Sequence, residues 1–258
     1  MQIDRISLQG FRNLAEATIE LGAGVVRVVG RNGQGKSNLF EAIHLLAQGW
    51  SYRTRRSSEW IQWGKSSLLV RAEGEVSSTT RKTAISLEEN GALRRVRLDG
   101  LESSGFSALL GAWPIVMVGP ADIGLVQGEP EIRRTWMDAL ISQYSVRGRN
   151  ALRRYRQVLR QRNAYLRGAV AQDEELRVVL DETLIAEGYE VVQLRRELID
   201  RLTPAAVEQY SKISTGQESA GLRYRSSWGD GGEETFRERL HSLRQREAEL
   251  RTTLVGPH

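Results

Sequence analysis

Along the first third of the chain, apolar and polar residues alternate with a period of two. Ala17, Ile19 and Leu21 are separated by Thr18 and Glu20, the pattern of a strand with one buried face. Val70, Ala72, Gly74 and Val76 repeat it, then Ile85 and Leu87, then Val96 and Leu98. Val25-Val26-Arg27-Val28-Val29 and Ile115-Val116-Met117-Val118 differ, being nearly unbroken apolar runs suited to buried, central strands. Asn90-Gly91 separates two of the alternating segments and predicts a tight hairpin, since both turn positions need positive φ. Asp99-Gly100 offers a second turn. The expected fold class is α/β, with a mixed sheet containing an antiparallel meander.

From about Glu131 the period becomes helical. Ile132, Trp136, Leu140 and Tyr144 form one stripe, and Leu152, Tyr155, Leu159 and Leu166 the next. Leu176, Leu180, Leu184, Val191, Leu194, Leu198 and Leu202 extend over a long helix. Pro204 is placed to open a following helix. Leu222 and Tyr224 predict a short strand, and Glu233 to Leu254 a final charged helix carrying Leu240, Leu243 and Leu250. The expected division is a sheet-bearing head over residues 1–130, a helical lobe over 131–252, and a return toward the head over 253–258.

The clearest chemistry lies near residue 30. Gly30-Arg31-Asn32-Gly33-Gln34-Gly35-Lys36-Ser37 matches G-x-x-x-x-G-K-[ST]. It follows the Val25–Val29 run and precedes a helical stripe of Leu39, Ala42, Ile43 and Leu46. Glycines let backbone N–H groups curl around a phosphate without side-chain clashes. The helix N-terminus adds roughly half a positive charge. Lys36 can reach terminal phosphate oxygens, and the Ser37 hydroxyl can ligate Mg²⁺. Gly30 through Ser37, with Asn38, is the expected cradle for ATP and Mg²⁺.

Composition limits the alternatives. The 258 residues are 40% hydrophobic and 27% charged, in the globular range. Without cysteine there is no disulfide scaffold and no thiolate zinc site. No apolar run approaches the ~20 residues of a membrane span, and Met1-Gln2-Ile3-Asp4-Arg5 lacks the apolar core of a signal peptide. A cytoplasmic location is expected. The net charge is +5, and lysine occurs only at 36, 65, 82 and 212, so arginine supplies most of the positive charge. Guanidinium donates paired hydrogen bonds to phosphate. Arg53, Arg55 and Arg56, with Trp50 and Tyr52, form one basic cluster; Arg153, Arg154, Arg156, Arg160 and Arg162 form another. Both suit DNA phosphates, while a solvated helix face is the alternative for the second. His44, His241 and His258 are scattered, without metal-ligand spacing.

Several segments carry a family resemblance. Asn32 through Asn38 resembles the loop of SMC-like, ABC-type recombination ATPases, and Leu8-Gln9-Gly10-Phe11-Arg12-Asn13 their L-x-x-F-R-N opening. Gly35 through Ile43, Ser51-Tyr52-Arg53-Thr54, and Pro120-Ala121-Asp122 through Arg133-Arg134 are similar to the RecF family within that group. So are Tyr155, Leu159, Gln161-Arg162-Asn163 and Gly256-Pro257-His258. The resemblance implies an ABC-type head with an inserted helical lobe, and Arg12 as a phosphate or ribose contact. It implies Gln127 as a Mg²⁺- and water-sensing residue. It also implies an ATP-dependent homodimer on DNA, acting at duplexes and gap junctions with RecO- and RecR-type mediators to load a recombinase. An unrelated P-loop ATPase or kinase is the competing class; it needs an acidic Mg²⁺ ligand at a strand end, and none is found.

In that family the Gly-Pro-His loop precedes an aspartate pair, the signature and Walker B, whereas this sequence stops at His258. A C-terminally truncated member is therefore expected, one that binds ATP weakly without measurable hydrolysis. Val178-Val179-Leu180-Asp181-Glu182 imitates Walker B but lies in helical register, and Ile213-Ser214-Thr215-Gly216-Gln217 imitates the signature without leading to an acidic strand.

Overall fold

The computed structural model describes residues 1–54, 56–88, 94–103, 105–170 and 173–258, with the side chains of 94 and 121 left aside. Arg55 and the expected Asn90-Gly91 turn lie outside the described residues. The chain divides into two compact units, Met1–Gly119 and Pro120–His258.

The first unit is built on one six-stranded sheet, in the order β2-β1-β3-β4-β5-β6. Its strands are β1 (Gln2–Gln9), β2 (Ala17–Glu20), β3 (Ser67–Val76), β4 (Thr79–Glu88), β5 (Arg94–Leu98) and β6 (Leu101–Ser103). Every neighbouring pair is antiparallel. The period-two pattern sets the register: Leu8 pairs with Val70, Val70 with Ile85, and Ile85 with Val96. This row crosses four strands and is at most 1% exposed. A slip by one residue would turn it to solvent. Helix α1 (Lys36–Gln48) packs on β3 and β4. Its Ala42, Leu45 and Leu46 join the same core. Trp113 and Thr83 are buried together, with indole Nε1 donating to Thr83 Oγ1 at 2.8 Å, so neither polar group is stranded.

Two expected strands do not form. Val25–Val29 and Ile115–Val118 are extended but unassigned, and among the described residues no backbone hydrogen bond joins either to another segment. Val25 is 99% exposed and Val118 82%. Their β-branched content favours extension, but without a neighbouring strand there is no ladder. The sheet is accordingly antiparallel throughout rather than mixed.

The second unit is helical: α2 (Gly124–Gln127), α3 (Pro130–Tyr144), α4 (Val146–Leu166), α5 (Glu174–Ile213), α6 (Glu233–Ser242) and α7 (Arg244–Leu250). Its core gathers Ile141, Leu152, Tyr155, Leu184, Val191, Val192 and Phe236. The expected stripes are buried on α4 and α5 at Leu152, Tyr155, Leu184 and Val191, whereas on α3 Ile132 and Tyr144 are exposed and Met137 and Ile141 turn inward instead. Three further expectations are corrected. Pro204 lies inside the 40-residue α5 rather than opening a new helix. Proline removes the N–H that would bond the carbonyl of residue 200, while the Thr203 hydroxyl donates to Ile199 O at 2.7 Å beside it. Leu222 and Tyr224 form no strand; Tyr224 packs against the helical core instead. The final helix breaks at Leu243 and ends at Arg251, whose φ is 53°. Thr253 and Leu254 are drawn out of helical register because their N–H groups bond Asn163 Oδ1 and Glu247 Oε1, at 2.8 and 2.7 Å.

Candidate nucleotide-binding site

The glycine-rich segment enters α1 through Gly35, which caps the helix at φ 93°. A Cβ there would lie 2.5 Å from Leu14 Cδ2, so only glycine fits against the turn after β1. Gly33 is also left-handed, at φ 81°. Lys36 folds back over the loop, its Nζ donating to Gly30 O at 2.7 Å and Arg31 O at 2.8 Å. Arg31, Asn32, Gly33, Gln34 and Ser37 are exposed, and Asn38 is half-buried. The first N–H groups of α1 have no intrahelical acceptor. The structure thus brings Gly30 through Asn38 together as a curled loop and the first turn of α1, with the Lys36 ammonium held over the loop. That donor set fits a phosphate chain.

Behind the loop sits a residue the sequence reading missed. Glu41 is fully buried on α1. Arg12 grips it with two bonds, Nε to Oε2 at 3.1 Å and Nη2 to Oε1 at 2.6 Å. Ser51 Oγ donates to Oε1 at 2.5 Å, and Arg53 Nη1 lies 3.3 Å from Oε2. A buried carboxylate needs such partners to remain charged. The available signal was an acid within the apolar stripe of the P-loop helix, near two arginines of the resemblance motifs. Arg12, expected at the nucleotide, thus has two of its donors on Glu41. The adjoining His44 has its pKa pushed below the usual imidazole value, chiefly by burial; the Trp50 carbonyl, 3.0 Å from Nδ1, and Glu41 oppose this. Tyr52 closes the other side, its hydroxyl donating to Ser37 O at 3.2 Å.

In the second unit Gln127 is exposed at the end of α2, next to Gly128, whose carbonyl accepts from Arg133 Nη1 at 2.9 Å. The basic cluster on α4 is largely engaged: Arg154 pairs with Glu187 at 2.6 Å, Arg156 with Asp138 at 2.9 Å, and Arg162 is buried. Arg153 and Arg160 are exposed. Arg162 meets Asp181 at 2.7 Å, Glu247 at 2.6 Å and Thr253 Oγ1 at 2.9 Å. Arg195 holds Asp138 at 2.8 Å and Pro257 O at 2.5 Å. Tyr155 OH and His258 Nδ1 are 2.5 Å apart. Motif residues far apart in sequence therefore converge, with Tyr155, Arg162 and Asn163 of α4 clamping the segment Thr253–His258. The Walker B look-alike is accounted for, since Asp181 is held by Arg162 and Arg177 and Glu182 by Arg237 at 2.7 Å. The signature look-alike ends α5 rather than opening a helix. Among the described residues, no group of three or more His, Asp or Glu could hold a metal ion, and no helix is long and apolar enough to cross a membrane.

Together, the sheet, the glycine loop and the capped helix define a P-loop nucleotide-binding protein. The pattern described as an AAA domain matches residues 5–108. The DNA replication and repair protein RecF of Symbiobacterium thermophilum is 36% identical, matching all of this chain and 70% of its own length. RecF of Thermosynechococcus vestitus is 35% identical, again over the whole chain and 70% of the relative. Among solved structures, the recombination mediator protein RecF-ATPrS in the RecFOR pathway superposes with a TM-score of 0.92 at 28% identity, covering 100% of this chain and 71% of that one. RecF-ATP superposes at 0.91 and 27% identity, covering 99% and 70%. The chain belongs to the RecF family.

Proposed function

We propose that this chain is an ATP-controlled DNA-binding protein of recombinational repair and replication-fork maintenance. The carrying observation is the loop from Gly30 to Asn38, curled under the Lys36 ammonium at a helix N-terminus. ATP would lie along its N–H groups, with Mg²⁺ on the Ser37 hydroxyl and phosphate oxygens. Arg12, braced on Glu41 through Nε and Nη2, is the proposed phosphate or ribose contact. Gln127 is the proposed sensor of the metal and its water. Residues 1–130 act as the ATP head, 131–252 as the lobe, and 253–258 as the return toward the head. DNA phosphates are taken by exposed arginines, among them Arg56 and Arg153, at duplexes and gap junctions. In full-length members of the family ATP binding favours a homodimer on DNA, and RecO- and RecR-type mediators join it in the cytoplasm to load a recombinase during the damage response. Membership of the RecF family supports this role, and the likeness to ATP-bound relatives supports the ligand. The test is a gel-shift titration of a gapped duplex at low salt, with and without ATP. Binding that strengthens with ATP is expected; equal binding in both contradicts the proposal.

A further inference from the structure

Asn13 lies in the exposed turn after β1, yet its side chain reaches the phosphate loop. Its Nδ2 donates to Gly33 O at 2.8 Å, and its Oδ1 accepts from Asn38 Nδ2 at 2.7 Å. Asn38 Oδ1 accepts in turn from Arg53 Nη1 at 2.5 Å, and the same Nη1 reaches the buried Glu41. A continuous line of hydrogen bonds therefore runs from a fully buried carboxylate to one carbonyl of the loop.

Peptide geometry gives that carbonyl its importance. In a trans peptide the C=O and the following N–H point to opposite sides. Holding Gly33 O on Asn13 turns the Gln34 N–H away from Asn13. Gly33, at φ 81°, and Gly35, at φ 93°, tolerate rotation of the intervening peptide planes better than other residues would. A flipped plane would aim the negative end of a carbonyl where an anion must sit. We propose that Asn13 is a positioning residue for the phosphate loop, steadied by Asn38 and anchored through Arg53 on Glu41, and that it sets the Gln34 N–H toward the phosphates. This rests on the proposal that the loop binds ATP. Lys36 supplies charge; Asn13 supplies orientation.

The test is calorimetric ATP titration of the whole chain in five forms: wild type, Asn13→Ala, Asn13→Leu, Asn38→Ala and the Asn13→Ala/Asn38→Ala double variant. Asn13→Leu keeps the volume and removes the hydrogen bonds. Each Asn13 variant should weaken ATP binding about 5–10-fold and Asn38→Ala about 3-fold, the range for one hydrogen bond. The double variant should be no weaker than Asn13→Ala, because both residues act along one line. Thermal midpoints without nucleotide should stay at the wild-type value, since Asn13 is exposed. On ATP addition the Gln34 amide resonance of ¹⁵N-labelled protein should move in the wild type and move less in the Asn13 variants. Wild-type affinity in Asn13→Ala, a strictly additive double variant, or an affinity loss that tracks a falling midpoint each overturns the proposal. Failure of the wild type to bind ATP, or no effect of Lys36→Ala, overturns the ATP proposal itself, and this one with it.

Discussion

Two buried charge networks, one in each unit, use the same residue types to different ends. Around Glu41 the partners Arg12 and Arg53 keep 18% and 46% of their side chains exposed, and the network runs outward into a loop of exposed polar groups. Around Arg162 the donors are taken up: its side chain is 4% exposed, that of Glu247 is fully buried, and its bonds go to Asp181 of α5, Glu247 of α7 and Thr253 of the last segment. A saturated network has no donor to offer a ligand, so its work is to hold Thr253–His258 in the helical lobe. An unsaturated one can orient groups for something not yet bound. Open donors, rather than the number of arginines, mark the functional region.

The largest effect expected from this contrast is on stability. Arg162→Ala leaves the buried Glu247 without its cation and Asp181 with Arg177 alone, and should cost about 3–5 kcal/mol, read from urea unfolding, while the folded variant binds ATP as the wild type does. Unfolding at the wild-type midpoint would mean the clamp is ornamental. Glu41→Gln keeps the shape of the first network and removes its charge. It should lower stability by about 1–3 kcal/mol and weaken ATP binding as well; a change in stability alone would detach Glu41 from the loop. For DNA, Arg153→Ala, at an exposed position, should reduce the slope of log K against log salt by about 0.9, one phosphate contact. Arg154→Ala should leave the slope unchanged, because Glu187 already occupies that guanidinium. Equal effects would erase the distinction between engaged and open arginines.

The smallest effect is on pH. His44 and His258 are both held below the usual imidazole pKa of 6.5, chiefly by burial. The unfolded chain then takes up protons more readily than the folded one. Stability from these groups is therefore complete above pH 6.5 and is lost as the pH falls below it. Thermal midpoints should drop slightly between pH 7 and pH 5, and His44→Gln should remove part of that drop. An identical pH profile in the variant would assign the loss to other groups.

Much of the fold was legible because its determinants are local. Period-two alternation at Val70, Ala72, Ile85 and Val96 fixed both the strands and their buried face, and the Gly30–Ser37 spacing fixed the loop and the start of α1. The misses share a cause, dependence on partners distant in sequence. Val25–Val29 has the composition of a central strand, yet a strand exists only where another pairs with it. The final helix was cut short by bonds to Asn163, some ninety positions earlier. Pro204 removes one hydrogen bond from a helix of 40 residues, a cost the rest of that helix outweighs and a local rule does not weigh. At the site, Lys36 and Ser37 announce themselves by motif, whereas Glu41 and Asn13 matter only through the three-dimensional line that joins them.

The central claim is that the open loop, and not the saturated lobe, receives the nucleotide. Calorimetric titration of Mg²⁺-ATP into the wild type and Lys36→Ala tests it most directly. Binding by the wild type that weakens at least about tenfold in Lys36→Ala, at an unchanged thermal midpoint without nucleotide, is the predicted result, since one charged hydrogen bond contributes ~1.5–3 kcal/mol. Equal affinity in the two proteins would contradict it.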